Sequence, residues 1–263
     1  ESIQKNCWEG NQYIRGICED GTKVGSKNDP EANLWLNPQS WAVISGCADP
    51  EQGGKALDTA ARRLDTKYGA LLLDPPYRDH AFNGAGMLLF NASTKENGGI
   101  FSQPQGWLIL AEALLGRGSS AFRYFQESCP AAMNDHAEIR KIEPYAHGQF
   151  VEGKYSPNEG RAHVHWLTGT ASTVMVGCVK GILGLRPVLD GIEINPSVPP
   201  DWKEFTMKKI FRGKTLNITV KNPDGAQGGK AHITLNGQAQ DGCRISASDL
   251  KPVNDVLVTM DAR

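Results

Sequence analysis

Residues 168–187 read TGTASTVMVGCVKGILGLRP, and the pattern of the sequence changes within this stretch. Residues 168–183 are rich in Ala, Val and Met, which predicts a long helix, and Gly184 is the residue type that commonly ends one. Because apolar residues occur all round this helix, we expect it to be buried between other elements. After Pro187 the spacing of apolar residues becomes alternating, so the sequence predicts one domain over residues 1–187 and a second over residues 188–263.

The residues before Pro187 carry apolar side chains at helical spacing. Further helices are predicted at 41–47, after a cap region at 37–40, and at 53–64, 107–115 and 119–128. Long connections rich in Gly and Pro, such as 73–91 and 143–165, separate the helices. Long ordered loops in compact domains are usually functional, so we expect these to converge at one end of the helical array and form a binding surface.

The residues after Pro187 alternate between apolar and polar. Short strands are predicted at 190–194, 206–211, 215–220, 232–236 and 256–260, with Gly, Pro and Asn turns between them. Closely spaced strands of this kind indicate a β-sandwich of the jelly-roll type. The glycine-rich residues 225–229 are interpreted as a mobile hairpin loop, because no strand-to-helix transition follows them as it would in a phosphate loop.

The composition argues against several classes of function. The 263 residues are 40% apolar and carry a net charge of -1, which indicates neither a nucleic-acid surface nor a polybasic membrane patch. No apolar run approaches the roughly 20 residues that span a bilayer, so a soluble, cytoplasmic protein is expected. The six cysteines are dispersed and are expected to be reduced, mostly buried thiols. His163 and His165 form a close pair, but with no third ligand at a recognisable distance no metal site is predicted.

Three loop-to-helix segments carry residues suited to chemistry. The first segment, 94–103, has paired glycines that allow a sharp turn, and Lys95 and Glu96 offer the donor and acceptor that sugars need. By composition alone, a plain turn and helix cap is the commoner explanation. The second segment, 143–149, combines Glu143, Tyr145 and Gln149. Aromatic rings stack on pyranose rings and amides bond to hydroxyls, although this composition alone is weak evidence.

The third segment, 165–170, leads into the helix predicted at 168–183. Thr168 is suited to cap that helix, and the unpaired N–H groups and positive dipole end of a helix start bind anions. A plain threonine cap is again the commoner explanation when this motif is seen alone. The segment therefore gains meaning only in combination with the other two.

Together with further stretches in the same order, these segments resemble the cellobiose phosphorylase family, the inverting glycoside phosphorylases of glycoside hydrolase family 94. Any one match could arise by chance, whereas the ordered set is specific. The matching stretches are Asn-Pro-Gln-Ser-Trp-Ala-Val at 37–43, Lys-Glu-Asn-Gly-Gly-Ile-Phe at 95–101, Glu-Pro-Tyr at 143–145, Trp-Leu-Thr-Gly-Thr-Ala at 166–171, Ile-Leu-Gly-Leu-Arg-Pro at 182–187, residues 190–202, and Phe-Arg-Gly at 211–213.

The resemblance implies the carboxyl-terminal part of an (α/α)6 barrel followed by a jelly-roll β-sandwich domain. Enzymes of this family split a β-linked glucosyl disaccharide with inorganic phosphate to give α-glucose 1-phosphate and a free sugar. An aspartic acid protonates the glycosidic oxygen while phosphate attacks the anomeric carbon from the opposite face, in place of the water and base of an inverting hydrolase. Phosphate is thus a co-substrate, and no cofactor is implied.

The resemblance also implies roles for individual residues. Thr168 and Gly169 match the turn that holds the phosphate, and Lys95 matches a lysine beside the leaving sugar. Gln149 matches an amide that contacts the sugar or the phosphate, and Glu96 matches a loop carboxylate with a structural or sugar-binding role.

Two positions depart from the family pattern. Gln103 stands where family members usually place a phosphate-binding histidine, so an uncharged donor replaces one that can carry charge. We expect phosphate affinity or its pH dependence to differ as a result. Phe90 stands where cellobiose phosphorylases tend to have a tyrosine beside the leaving sugar, which argues against a strict cellobiose assignment.

The family's catalytic aspartate lies in an Asp-Trp-Asn-Asp type motif that this sequence lacks, so no catalytic residue is expected within it. The implied partners are a disaccharide, phosphate and the amino-terminal half of the same enzyme, with a homodimer also open. Two other functions stay open: a glycoside hydrolase fragment, and a non-catalytic carbohydrate-binding module that uses the β-sandwich. The disaccharide stays open among cellobiose, laminaribiose, cellobionate and diacetylchitobiose.

Overall fold

The computed structural model describes residues 1–79 and 89–261, and its helices precede its main β-sheets. A 3₁₀ turn at Ala131–His136 precedes α6, and a π-helical turn at Gly177–Ile182 continues α7. The order of helices followed by the main β-sheets confirms the α-then-β prediction, while the (α/α)6 barrel and the jelly-roll β-sandwich stay predictions. The helices are α1 (Ser2–Cys7), α2 (Leu36–Ile44), α3 (Pro50–Leu64), α4 (Ser102–Leu114), α5 (Gly118–Ser128), α6 (Ala137–Arg140) and α7 (Thr170–Val176).

Several helices begin earlier than the apolar spacing predicts. α2 starts at Leu36, so the predicted cap region 37–40 lies inside it, and it ends at Ile44, before Cys47. α3 and α4 each include a further first turn, which contains Pro50 and Pro104 respectively. Proline is tolerated there because the N–H that it lacks would have no intrahelical partner. The predicted starts at 53 and 107 were wrong because apolar periodicity does not register such turns.

α7 is shorter and less buried than the sequence predicts. It begins at Thr170, continues as the π-helical turn and ends before Gly184, whose φ is +68°. Val174 is buried in the core, whereas Met175 keeps 67% of its surface exposed. The expectation of all-round burial was therefore wrong: within the described residues, α7 turns one partly apolar face away from the core.

α4 crosses α7 at a contact that requires glycine. A Cβ added to Gly106 would overlap the backbone of Thr173, and one added to Gly177 would lie 2.7 Å from the Gly106 carbonyl oxygen. With no side chain between them, the two helix backbones pack directly against each other. α4 also packs against α2 and α5, so it lies at the centre of the helical layer.

Short strands connect the helices where the sequence predicts only loops. β1 (Gly16–Ile17) pairs with β2 (Lys23–Val24), and β3 (Leu34–Trp35) pairs with β4 (Leu73–Asp74). A three-stranded antiparallel sheet leads directly into α4. Phe101, the last residue of its first strand, is followed at once by Ser102, the first residue of the helix. Its strands are β5 (Ile100–Phe101), β6 (Gly148–Val151) and β7 (Ala162–His165).

The carboxyl-terminal strands form two sheets. They are β8 (Leu185–Val188), β9 (Gly191–Ile194), β10 (Glu204–Phe211), β11 (Lys214–Lys221), β12 (Ala231–Leu235), β13 (Gln238–Ala239), β14 (Arg244–Ser246) and β15 (Val253–Met260). One sheet has the order β10-β11-β15-β12-β13 and the other has the order β14-β9-β8. Alternate residues of β15 are buried, and Val258 belongs to the same apolar core as Leu108 of α4. The predicted boundary at 187 falls inside β8 and stays a prediction.

Residues 225–229 are not a hairpin loop. β11 and β12 both pair with β15, which lies between them, and β11 runs parallel to β15. The loop instead packs against the start of α5, where Ser119 N–H donates to Gln227 Oε1 at 3.0 Å. The hairpin expectation was wrong because strand spacing does not show that a later strand inserts between two earlier ones.

Two further expectations concern the burial of the cysteines and the length of the apolar helices. All six cysteines are free and half-buried rather than mostly buried, and burial raises the pKa of the Cys178 thiol to about 11. Across residues 1–79 and 89–261, no helix is both long and apolar enough to cross a membrane.

A buried carboxylate lies on α4. Glu112 is only 2% exposed, its Oε2 accepts no hydrogen bond within the described residues, and Arg117 Nη1 lies 3.8 Å away. Asp58 Oδ1 lies 2.6 Å from the same Arg117 nitrogen, so the two carboxylates share one guanidinium group. Burial therefore outweighs the arginine and raises the pKa of Glu112 to about 7.

We predict that replacing Glu112 with Gln makes stability less sensitive to alkaline pH. Because the folded-state pKa lies above the unfolded value of 4.5, the neutral carboxyl contributes stability below that value, and this is lost as pH rises through about 7. The wild-type loss over this window is about 2–3 kcal/mol. Thermal unfolding of the full-length protein at about pH 5 and about pH 8 measures it.

The E112Q variant should lose less Tm between the two conditions than wild type does. Glu204→Gln, at an exposed position on β10, is the matched control and should follow wild type. An equal loss of Tm in all three proteins would contradict the role given to Glu112.

Candidate active site

The three segments singled out in the sequence meet on one small sheet. The first segment runs through β5 into the start of α4, the second leads into β6, and the third leaves β7 and enters α7. β6 is the central strand: Phe101 of β5 pairs with Phe150, and His163 of β7 pairs with Phe150 from the other side. The sheet therefore holds the starts of α4 and α7 side by side, although the two helices lie far apart in the sequence.

The third segment forms a tight turn at the start of α7. Thr168 Oγ1 accepts a hydrogen bond from Thr170 N–H at 3.1 Å and lies 2.6 Å from Thr170 Oγ1. Gly169 is the residue before the helix, so α7 begins two residues later than the predicted start at Thr168. The Thr168 hydroxyl still accepts a hydrogen bond from the first turn of the helix, whose N–H groups have no intrahelical acceptors.

Gln103 lies beside this turn. A Cβ built on Gly169 would be 3.5 Å from Gln103 Nε2, so the amide lies about one side-chain atom's reach from the Gly169 backbone, with no atom between them closer to that Cβ. The two helices are also joined by a hydrogen bond from Thr173 Oγ1 to Gln103 O at 2.9 Å. The residues predicted to bind phosphate, Thr168, Gly169 and Gln103, are thus brought together, and their role stays a prediction.

The second segment packs against the third through Glu143. Its carboxylate accepts a hydrogen bond from Trp166 Nε1 at 3.2 Å and lies 3.3 Å from His165 Nδ1. Hydrogen bonds from its own backbone N–H and from Trp166 lower the pKa of Glu143. The rings of Tyr145 and Trp166 are exposed, with centroids 5.7 Å apart.

Gln149 lies on β6 between the residues that pair with β5 and β7, and it is half-buried. The hairpin around it is held by Glu152, which the sequence analysis missed. Glu152 is buried, and its Oε1 lies 2.6 Å from His163 Nε2, while its other oxygen accepts a hydrogen bond from Ser156 Oγ. The His163 ring also stacks on Phe150 with centroids 4.9 Å apart.

His163 and His165, which are close in the sequence, have different carboxylate partners. His163 pairs with Glu152, whereas His165 lies beside Glu143. In the part of the chain that the structure covers, no group of three or more His, Cys, Asp or Glu side chains could hold a metal ion.

The predicted sugar contacts of the first segment lie close to one another. Lys95 Nζ is 5.2 Å from the centroid of the Phe90 ring, and the Lys95 backbone has a φ of +44°. Glu96 Oε2 is buried and accepts no hydrogen bond from any described residue, so this oxygen is unsatisfied among them. This group and the Gln103 group are connected through β5, which begins four residues after Glu96.

Asp74 ties the first segment to the helical layer, and no sequence motif marks it. Its buried carboxylate lies 2.9 Å from Lys154 Nζ, 2.8 Å from Tyr155 OH and 3.1 Å from Arg63 Nη2. Burial raises the pKa of Asp74, but hydrogen bonds from Lys154 and Tyr155 outweigh it and hold the pKa below its usual value. Tyr155 N–H in turn donates to Ser93 Oγ at 3.1 Å, at the base of the first segment.

Hydroxyl, amide and ammonium groups gathered near helix starts, on a helical layer that precedes two β-sheets, suit a carbohydrate-active enzyme. The family described as Glycosyl hydrolase 94 superfamily, catalytic domain, matches residues 1–184. The chain belongs to this superfamily, which confirms the resemblance carried by its ordered segments.

The chain is similar to several bacterial phosphorylases. The N,N'-diacetylchitobiose phosphorylase of Vibrio furnissii is 34% identical over 99% of this chain and 32% of that enzyme. The solabiose phosphorylase of Paenibacillus borealis is 33% identical over 90% of this chain and 31% of that enzyme. A 3-O-beta-D-glucopyranosyl-beta-D-glucuronide phosphorylase from the same organism is 32% identical over 91% and 31%. The chain thus spans about a third of the length of these relatives.

We predict that Asp74→Asn destabilises the protein at neutral pH by about 2 kcal/mol, because the cations around it lose their counter-charge. Since the folded pKa lies below the unfolded value, the contribution of Asp74 is present above that value and is lost as pH falls through the folded pKa. The Tm difference between variant and wild type should therefore be largest near neutral pH and shrink in acid.

Thermal unfolding of the full-length protein across this range measures the difference. The exposed Asp201→Asn is the control and should leave Tm nearly unchanged at every pH. A Tm difference for Asp74→Asn that does not depend on pH would contradict the ionic role of Asp74.

Proposed function

We propose that this chain supplies part of the active site of an inverting glycoside phosphorylase. The enzyme would split a β-linked glucosyl disaccharide with inorganic phosphate to give α-glucose 1-phosphate and a free sugar. The observation that carries the proposal is the closeness of the Gln103 side chain to the Thr168–Gly169 turn, because it gathers a hydroxyl, an amide and a helix start in one place.

This turn suits a dianionic nucleophile. Phosphate that attacks an anomeric carbon needs hydrogen-bond donors that orient it, and it needs no general base. The first-turn N–H groups of α7, the Thr168 hydroxyl and the Gln103 amide are such donors. Gln103 carries no charge, so its contact with phosphate should not change with pH as that of a histidine would.

The sugar side of the site is proposed to lie on the first segment. The Lys95 ammonium and the Glu96 carboxylate would offer a donor and an acceptor for hydroxyls, and the Phe90 ring would offer an apolar face. Gln149, on the strand between β5 and β7, would contact the sugar or the phosphate.

The general acid is proposed to be an aspartate of the full-length enzyme outside these 263 residues. The relatives, of which the chain spans about a third, are named as phosphorylases, which supports this division. The amino-terminal half of the same enzyme would thus complete the site, and a homodimer is the proposed assembly.

The non-catalytic module has less support. A glycan-binding sandwich needs exposed aromatic side chains, yet Trp202 packs against Phe122 of α5 with ring centroids 5.2 Å apart and also against Phe205. Phe211 is buried. These rings join the sandwich to the helical layer.

A phosphorolysis panel on the full-length protein tests the proposed function. Cellobiose, laminaribiose, cellobionate and diacetylchitobiose are each incubated with and without phosphate, and sugar phosphate and free sugars are quantified. We expect α-glucose 1-phosphate from a glucosyl disaccharide only when phosphate is present. Free glucose formed equally well without phosphate would favour a hydrolase instead. Cleavage of diacetylchitobiose alone would keep the phosphorylase class but replace the glucosyl donor.

We further predict that Thr168→Val raises the KM for phosphate by about tenfold or more, because a hydrogen bond to a charged group is lost. The KM for the disaccharide should change much less. Thr168→Ser keeps the hydroxyl and is the matched control, with a phosphate KM close to wild type. An unchanged phosphate KM in a folded Thr168→Val enzyme would remove this turn from the phosphate site.

A further inference from the structure

Asn97 is a buried side chain to which neither the sequence analysis nor the proposed function gives a role. It is 1% exposed, and its amide makes three hydrogen bonds to backbone groups. Oδ1 accepts from Tyr77 N–H at 2.8 Å, and Nδ2 donates to Tyr77 O and to Phe90 O, each at 2.9 Å. One side chain thus joins two points of the chain that precede it by 20 and by 7 residues.

The backbone of Asn97 closes the turn that contains Lys95. Asn97 N–H donates to Thr94 O at 2.9 Å, and Asn97 O accepts from Ser93 N–H at 2.8 Å. Lys95 lies inside this turn with its positive φ, and its Nζ is close to the Phe90 ring. Asn97 therefore fixes both partners of the Phe90–Lys95 contact: the first through its side chain and the second through its backbone.

The bonding pattern requires a primary amide of this length. The site presents one N–H donor and two carbonyl acceptors, and an asparagine amide supplies one acceptor and two donor hydrogens in a plane. An aspartate would place one carboxylate oxygen, in the position of Nδ2, against the carbonyl oxygens of Tyr77 and Phe90, leaving both carbonyls unsatisfied and repelled. A glutamine would carry the same group one methylene too far.

We infer that Asn97 is a positioning residue for the sugar side of the site, setting Phe90 and Lys95 at the spacing that receives the leaving sugar. This rests on the proposed function for the identity of the sugar side. Asn97 does not itself touch substrate, so its effect is transmitted through Phe90 and Lys95.

The test is Asn97→Asp in the full-length enzyme, with kinetics in both directions. The KM for the free sugar, measured as acceptor with α-glucose 1-phosphate, should rise about tenfold, as expected for the loss of about one well-placed hydrogen bond. The KM for phosphate should stay within about twofold of wild type, because Gln103 and the Thr168–Gly169 turn do not contact Asn97 in the bonds described.

Asn254 provides a matched control, because its amide makes the same three kinds of bond to backbone groups next to β15, together with one more that its Oδ1 accepts from Asn236 Nδ2 at 3.2 Å. Oδ1 accepts from Lys251 N–H at 2.9 Å, and Nδ2 donates to Lys251 O at 2.7 Å and to Thr215 O at 3.1 Å. It is also 1% exposed. Asn254→Asp should lower Tm to a similar extent while leaving both KM values unchanged, which separates lost stability from lost positioning.

A double variant supplies a readout that a purely structural role would not move. If the Asn97 side chain acts through Phe90, then Asn97→Asp should raise the acceptor KM much less when Phe90 is already Ala than when Phe90 is present. Should Asn97→Asp block folding, Asn97→Ser, which retains one short donor, takes its place in the same cycle.

The outcomes separate this inference from the proposed function. A folded Asn97→Asp enzyme with an unchanged acceptor KM, or with equal increases in the acceptor and phosphate KM, would overturn the role of Asn97. A wild-type enzyme that cleaves its disaccharide without phosphate would overturn the phosphorylase proposal. In that case the ratio of disaccharide KM between Asn97→Asp and wild type still tests the positioning of the sugar.

Discussion

The direct contact of the α4 and α7 backbones is the constraint on which the site depends. Gly106 and Gly177 let the helices meet with no side chain between them, and Thr173 hydrogen-bonds to the Gln103 carbonyl across the same crossing. The Gln103 amide lies close to Gly169 because the two helix starts are held side by side. A side chain at Gly106 would push the two helices apart by a distance comparable with the length of a hydrogen bond. The residues proposed to donate to phosphate would then no longer lie close together.

The sheet of β5, β6 and β7 connects the turn proposed for phosphate to the residues proposed for the sugar. It joins three segments that are distant in sequence, and buried polar contacts hold it: Glu152 with His163 on one hairpin, and Asp74 with Lys154 and Tyr155 behind it. Unpaired buried charges are costly, so each of these contacts restricts the loops to one arrangement. The helical layer thus fixes the turn proposed for phosphate, while hydrogen-bonded loops fix the residues proposed for the sugar.

Much of this architecture follows from local patterns in the sequence. Alternating residues predicted strands such as β11 and β15, and glycine marked the ends of α4 and α7. The helix starts were wrong where the first turn holds Pro50 or Pro104, because apolar spacing does not register such turns. The two-residue strands and the insertion of β15 between β11 and β12 depend on pairing between distant segments, which local periodicity does not carry. For the same reason Asp74 and Asn97 were missed: their partners are 11 to 81 residues and 7 to 20 residues away in the sequence.

The central claim is that the Thr168–Gly169 turn, with Gln103, holds the phosphate. The most direct measurement is a crystal structure of the full-length enzyme with inorganic phosphate bound. The account predicts a phosphate whose oxygens lie within hydrogen-bond distance of Thr168 Oγ1, the Gly169 turn and Gln103 Nε2. A phosphate bound elsewhere in the active site, with this turn empty, would contradict it.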